Sequence, residues 1–453
     1  MIRILFALLA LLTLNACQQG GPTASTETSP GGIEYTLIQL PEQEDVAIHI
    51  AWPTDWSYRD GTNKAVPIVG TDLILAGGAE GYPAGDVIEQ FADLNSEGDI
   101  YAGLNDHIIG ELAFERTMLD DTIAIANAHL RAPTLDPVWL DRIRDSIAQN
   151  MAEAQTHPRH AGFDAGRWAI FKDQPLRMAL SLDDPDVFET VTQDDIAAWH
   201  AETFTRQPDA IVVVGGIGAQ MAGETVDRLL EGLPDTRPTL SPEVTPDFAP
   251  RRILLHDPAA TVTNIAFIAP LPPTEAGKEL EDLLLLNALG SGDQSVLFNA
   301  VRTELRASYG FSADVANYTR VHRIMVMSGE VETARLADVE RVVREAYDGF
   351  QKAGTLEELA ERKAPFEHSF TELPNFVADQ ARSELQSRLD GFEVGRSLAL
   401  LDELAAVTDD TVNQRLQNDF PPADTFIVIA VSPDRDALPG ACIITTPRDA
   451  AEC

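Results

Sequence analysis

The sequence predicts an α+β protein of two tandem homologous domains, and two observations carry the prediction. Apolar stretches of strand period alternate with stretches of helix period along the chain, which is the block pattern of an α+β unit. The pattern then recurs. Ile48-His-Ile-Ala-Trp-Pro53 has its counterpart in Ile265-Ala-Phe-Ile-Ala-Pro270, a shift of 217. Val191-Thr-Gln-Asp194 through Ile211-Val-Val-Val214 matches Val407-Thr-Asp-Asp410 through Ile427-Val-Ile-Ala430 at a shift of 216. Two similar shifts so far apart describe one duplicated domain of about 200 residues rather than a short solenoid repeat. Five prolines in Leu233-Pro-Asp-Thr through Phe248-Ala-Pro250 mark 233–250 as the linker. The domains are then 33–232 and 251–440, followed by a tail, 441–453.

Ahead of the first domain, residues 1–17 read as a targeting signal. Arg3 supplies its charge and Ile4 to Leu14 its short apolar run. Eleven such residues are too few to cross a bilayer core about 30 Å thick. Leu14-Asn15-Ala16-Cys17 resembles a bacterial lipobox, which implies cleavage before Cys17 and its lipidation. Gln18, where Asp would retain the protein at the inner membrane, favours the outer one. The expectation is a Gram-negative outer-membrane lipoprotein facing the periplasm, held to the membrane by its lipid alone. Residues 18–32, rich in Gly, Ser, Thr and Pro, read as a flexible tether.

Within the first domain, Glu34 to Leu40 and Val46 to Trp52 read as strands, and Ile68 to Ala76 as an apolar helix. Asp86 to Leu94 is a second helix, and Gly98 to Phe114 a pair of strands. Helices follow over Met118 to Leu130, Pro137 to Gln155 and Phe163 to Phe171, with Asp136-Pro137 a plausible helix start. Asp194 to Phe204 is a helix and Ala210 to Val214 a buried strand. The net charge is −39, with 28 Arg but only five Lys. That balance lacks the basic footprint nucleic-acid binding requires. Cys442 and Cys453 could close a small loop in an oxidising compartment; the rival reading is two free thiols on a frayed end.

The stretch from Val66 to Asp106 carries a resemblance. Gly78 and Tyr82-Pro83-Ala84-Gly85 are similar to the G-T-x-K-Y-P-A-G turn of the pitrilysin/insulinase zinc peptidases, where it follows a helix bearing H-x-x-E-H. Aligned without a gap, that motif falls on Val69-Gly70-Thr71-Asp72-Leu73. Both zinc-binding His positions hold aliphatic residues, and the Glu that would activate a water is shortened to Asp72. The third ligand, a Glu on a later helix, corresponds to Asn150, with Glu153 nearby but out of step. Asp173-Gln174-Pro175-Leu176 resembles the family's D-H-P-L loop without its His. Among the nine His, only His157 and His160 lie close, with Pro158 between them in an apparent loop. The degenerate positions Val69, Asp72, Leu73 and Asn150 imply a chain that binds no zinc.

The second half keeps more of the family pattern. Gly290-Ser-Gly-Asp-Gln-Ser295-Val-Leu-Phe298 and Val301-Arg302-Thr-Glu-Leu-Arg306-Ala-Ser-Tyr309 resemble the segment G-x-G-x-x-S-x-L-F…L-R-E-x-x-G-x-x-Y. Thr303 replaces its Glu and Arg306 its Gly. The resemblance gives Arg302 and Tyr309 catalytic roles across a clamshell cavity: guanidinium geometry suits a carbonyl or carboxylate, and a phenol can donate to developing negative charge. A chain with this segment and no H-x-x-E-H looks like the non-metal subunit of the family's two-chain bacterial branch, one half of a clamshell. Its partner would be an H-x-x-E-H subunit carrying the zinc, and its substrate a peptide. The alternatives are a non-enzymatic binding or assembly scaffold of the envelope, and a stand-alone peptidase with displaced ligands.

Overall fold

A computed structural model describes residues 21–172, 186–242, 244–274, 278–353 and 359–453. The lipobox with Cys17 and the Asp173–Leu176 loop lie outside the described residues. No described helix is long and apolar enough to cross a membrane.

Two six-stranded sheets organise the chain. The first contains β1 (Thr23–Thr28), β2 (Glu34–Gln39), β3 (Asp45–Pro53), β4 (Ser96–Gly103), β5 (His107–Glu115) and β6 (Ala210–Gly215), in the order β1-β2-β6-β3-β5-β4. The second contains β7 (Arg252–His256), β8 (Thr263–Leu271), β9 (Ser308–Asn317), β10 (Arg323–Val331), β11 (Ile427–Ser432) and β12 (Cys442–Ile444), in the order β12-β7-β11-β8-β10-β9. The duplicated order extends to strand direction. β2 runs parallel to β6 as β7 does to β11, and every later pairing is antiparallel in both sheets. The two halves differ at the outer edge, where β1 is antiparallel to β2 and β12 is parallel to β7.

The first of those edge strands corrects an expectation. Thr23–Thr28, expected within the tether, is a strand paired along its whole length with β2; its three Thr are β-branched and suit an edge position. The tail likewise folds as β12 and a 3₁₀ turn over Pro447–Glu452, with Cys442 and Cys453 joined at 2.07 Å.

The longer helices of the first half are α1 (Val66–Ala76), α2 (Val87–Asp93), α3 (Leu119–Arg131), α4 (Pro137–Gln155), α5 (Pro158–Phe171), α6 (Gln193–Thr203) and α7 (Ala219–Leu229). The second half supplies α8 (Glu279–Gly290), α9 (Leu336–Ala353), α10 (Leu359–Glu372), α11 (Val377–Leu389), α12 (Arg396–Ala406) and α13 (Asp409–Asn418). Local chemistry sets several of their ends. Asp136 caps α4, accepting from the N–H groups of Val138 and Trp139, and Thr192 with Asp195 forms a capping box on α6. Pro158, expected in a loop, is the first residue of α5, where its missing N–H costs nothing.

Strands β6 and β11 read as unbroken apolar runs, and β3 as one interrupted only by His49 between Val46 and Trp52, because both faces of each sheet are covered. On β3, Val46, Ile48, Ile50 and Trp52 face the helices of the first half, while Ala47 and Ala51 face α11 of the second. The exchange is mutual. Ala165, Trp168, Ala169, Ile170 and Phe171 of α5 lie on the second sheet against Ile253, Ile268, Ile429 and Val431. Gly166 permits that approach, since a Cβ there would meet Ile268 and Ile429 at 2.9 and 3.0 Å. Polar contacts close the seam: Asn105 donates to the Tyr318 carbonyl (2.6 Å), and the Arg320 N–H to Asp106 (2.7 Å).

Candidate functional site

The helix expected to carry the metal motif is α1. Its sequence is apolar nearly all round, and Val66, Pro67, Val69, Gly70, Thr71, Leu73 and Ile74 are buried. It stops where the Gly77 N–H reaches the Leu73 carbonyl (2.8 Å) and Gly78 turns left-handed at φ +76°, the usual way for a helix to end. The chain then folds back: Ala79 and Tyr82 exchange hydrogen bonds, and the Gly85 N–H returns to the Ala76 carbonyl (2.9 Å). The Gly78–Gly85 turn is thus built as a helix stop and return.

Val69 and Leu73, one turn apart on one face of α1, are fully buried in the first core together with Leu140, Ile143 and Met151 of α4. The face that would present imidazoles is filled by packing. Burying two aliphatic side chains contributes about 1.5–3 kcal/mol each. Asp72 faces outward; crowding by protein first, and the Asp99 carboxylate second, raise its pKa above the ordinary value. Asn150 and Glu153 lie exposed on α4. Two aliphatic groups, one carboxylate and one carboxamide do not fit zinc, which takes Cys, His, Asp or Glu donors, three of them in a catalytic site. Among the described residues no three His, Cys, Asp or Glu side chains converge elsewhere.

Arg302 sits on a π-helical turn, Phe298–Glu304, and is exposed. It borders a cavity of about 310 Å³ with Arg306, Ser308, Glu330 and Thr333. The side chain of Tyr309 lies outside the described part of the structure; its backbone belongs to β9, directly after Ser308. Arg306 adopts φ +56°. A non-glycine residue there is strained, and the resembled segment has Gly at this place. Beside it the β9–β10 register slips between Gly329 and Val331, and Ser308 Oγ donates into the bulge toward the Glu330 carbonyl.

Two buried histidines near the seam carried no sequence signal beyond their residue type. His107 lies between Asp106 (2.9 Å) and Asp209 (3.1 Å). Burial opposes its charge, but the two carboxylates outweigh it and raise the pKa. His49, 1% exposed on the β3 face toward α11, lies 3.6 Å from Glu111. There burial wins and pushes the imidazole down to about 4. Glu111 itself pairs with Arg382 of α11 (2.6 Å) and accepts from the Tyr101 hydroxyl (2.8 Å).

Fold and site together define a class: a duplicated α+β peptidase-type chain whose metal locus is filled as core. Comparison with known proteins agrees with that class. Residues 190–366, which include Arg302 and Tyr309, match the family model described as peptidase M16 inactive domain. No curated protein matches in sequence. A crystal structure of a peptidase M16 inactive domain from Pseudomonas fluorescens superposes with a TM-score of 0.78 at 15% identity, covering 91% of this chain and 98% of that one. A protease from Helicobacter pylori gives 0.75 at 12%, covering 91% and 100%. The periplasmic protease PqqL from Escherichia coli gives 0.67 at 14%; 95% of this chain is covered, but only 50% of that one. Residues 190–366 thus resemble the M16 inactive domain, and the chain as a whole shares the fold of these structures, that of a clamshell half.

Proposed function

We propose that this chain is the non-metal subunit of a two-chain peptidase, pairing with an H-x-x-E-H subunit that holds the zinc. One observation carries the reading: nearly the whole chain corresponds to half of the single-chain protease PqqL, so a complete clamshell needs a second unit. The filled α1–α4 locus supports placing the metal on that other unit. Exposed Arg302, on the segment resembling the family's Arg/Tyr motif, is the residue to contribute substrate contacts in trans, with Tyr309 following it in the same segment. The subunit is anchored through Cys17 at the outer membrane and faces the periplasm; the Cys442–Cys453 bridge suits an oxidising compartment.

The test is affinity purification of the tagged lipoprotein from its native envelope, followed by mass spectrometry. An H-x-x-E-H protein recovered near one-to-one supports the pairing. Arg302→Ala then lowers kcat/KM of the pair by roughly 10²-fold or more, the scale of losing one transition-state donor. Recovery with unrelated envelope proteins, or an Arg302→Ala pair of full activity, refutes it in favour of a scaffold.

A further inference from the structure

The end of the first sheet at which the chain enters the fold carries an apolar groove. Strand register places Thr23, Gln39, Gly215, Asp45, Glu115 and Ser96 together at that end, across all six strands. The groove, of about 870 Å³, lies between α2 and the start of α11, against the first residues of β4. Phe91 and Phe114 line it from the core, while Ile88 and Phe376 stand out at 81% and 57% exposure. Among the described residues these are the two most exposed large apolar side chains. Single exposed apolar residues are ordinary, but two from opposite halves of the chain on one groove form a patch, and patches mark interaction surfaces.

The entry of the chain decides what covers it. Because β1 begins at Thr23, only five residues separate Cys17 from the folded body. Fully extended, that leash spans about 20 Å. The sheet end is itself about 24 Å wide, from the strand spacing. With Cys17 acylated, the Thr23 corner is held within the leash of the bilayer surface, and a tilt that brings β4 as low as β1 lays the groove on it.

The charges select the lipid. Asp45, Glu97 and Asp379 line the groove and are exposed, and no Lys or Arg lines it. An anionic surface repels such a rim on a chain of net charge −39. Ethanolamine headgroups instead present ammonium donors, to which carboxylates bond well.

We propose that this end of the molecule docks on a bilayer of zwitterionic ethanolamine phospholipid. Ile88 and Phe376 insert at the boundary of the acyl chains, and Asp45, Glu97 and Asp379 accept from headgroup ammonium groups. The inference rests on the anchoring at Cys17 and adds a second contact to the lipid expected to act alone. The opposite end of the sheet, where the Arg320 N–H meets Asp106, then faces away from the membrane.

The test uses the mature full-length lipoprotein in vesicles of phosphatidylethanolamine and phosphatidylcholine, with mass spectrometry of its first residue reporting acylation separately. A polarity-sensitive dye is attached at Ile88→Cys, at Phe376→Cys or, as control, at Val321→Cys. Val321 is 47% exposed, beside Arg320 at the far end, so none of the three substitutions disturbs the core. Cys442 and Cys453 are joined and do not compete for the dye. The dye at Ile88→Cys and Phe376→Cys is expected to shift to the blue and to be quenched by acyl-spin-labelled lipid, while that at Val321→Cys does neither. Replacing the ethanolamine lipid by phosphatidylglycerol abolishes the shift. Equal signals at all three sites would overturn the proposal. So would silent probes at Ile88→Cys and Phe376→Cys on an acylated chain, which would leave the anchoring intact and the groove to a protein partner. An unacylated Cys17 would overturn the proposal together with the anchoring.

Discussion

Replacing His49 by Gln should remove an acid-sensitive component of stability that the fold itself creates. His49 is 1% exposed on β3, facing α11 across the seam, and its Nδ1 finds no hydrogen-bond partner. Burial, against the attraction of Glu111, lowers its pKa from 6.5 to about 4. The depressed value fixes the sign. Between about pH 6.5 and 4 the unfolded chain binds a proton that the folded chain refuses, so stability is full above pH 6.5 and falls as acid is added. Linkage gives a loss of about 2 kcal/mol by pH 5 and about 3 kcal/mol by pH 4 from this one residue. Carboxylates held low by partners, Asp106, Asp209 and Glu111 among them, enter mainly near and below pH 4. His107, whose pKa is raised, contributes with the opposite sign but is common to both proteins. Urea unfolding at pH 7.5 and pH 5.0, for wild type and His49→Gln, isolates the term as the difference between the two pH-induced losses. The variant should lose about 2 kcal/mol less than wild type between those values. Equal losses would refute the reasoning, because they would show His49 free to take its proton inside the fold.

Two further outcomes follow from the backbone and the bridge. Arg306 at φ +56° should gain about 1 kcal/mol of stability on replacement by Gly, read as a higher urea midpoint at unchanged slope; a lower midpoint would mean the Arg306 side chain compensates the strain. Cys453→Ser opens a loop of sequence separation 11 and should cost at most about 3 kcal/mol, read as a fall in Tm that reducing agent reproduces in the wild type.

The legible parts of this molecule are those whose cause is local. The apolar run of α1, its glycine stop and the strands around it follow from period and turn chemistry. The duplicated order of the two sheets was carried by two runs 217 and 216 residues apart. The degenerate metal positions were readable because four named residues lack donors or the right length; what could not be read is that Val69 and Leu73 had become core against α4. A helix written with Val and Leu looks the same in sequence whether its face meets another helix or solvent at a vacant site. Thr23–Thr28 was misread for a related reason: a Thr-rich segment is a tether until an edge such as β2 is there to pair with it.

The seam shows where local reading ends. Ten of the fourteen residues of α5 are buried, among them its closing Gly166-Arg-Trp-Ala-Ile-Phe171 run, and such a helix must lie on something apolar. Period and composition say that much. They do not say that the surface is the sheet of the other half, because the first sheet offers an equally apolar outer face, and that face is covered by α11 from beyond the linker. The choice is settled by pairs that exist only once both halves are folded. Gly166 lets α5 settle on Ile268 and Ile429, while Arg382 on α11 reaches Glu111 over buried His49. Each half therefore completes its core with a helix borrowed from the other, so the two domains the repeat describes form one cooperative unit, and His49 reports on the contact that joins them.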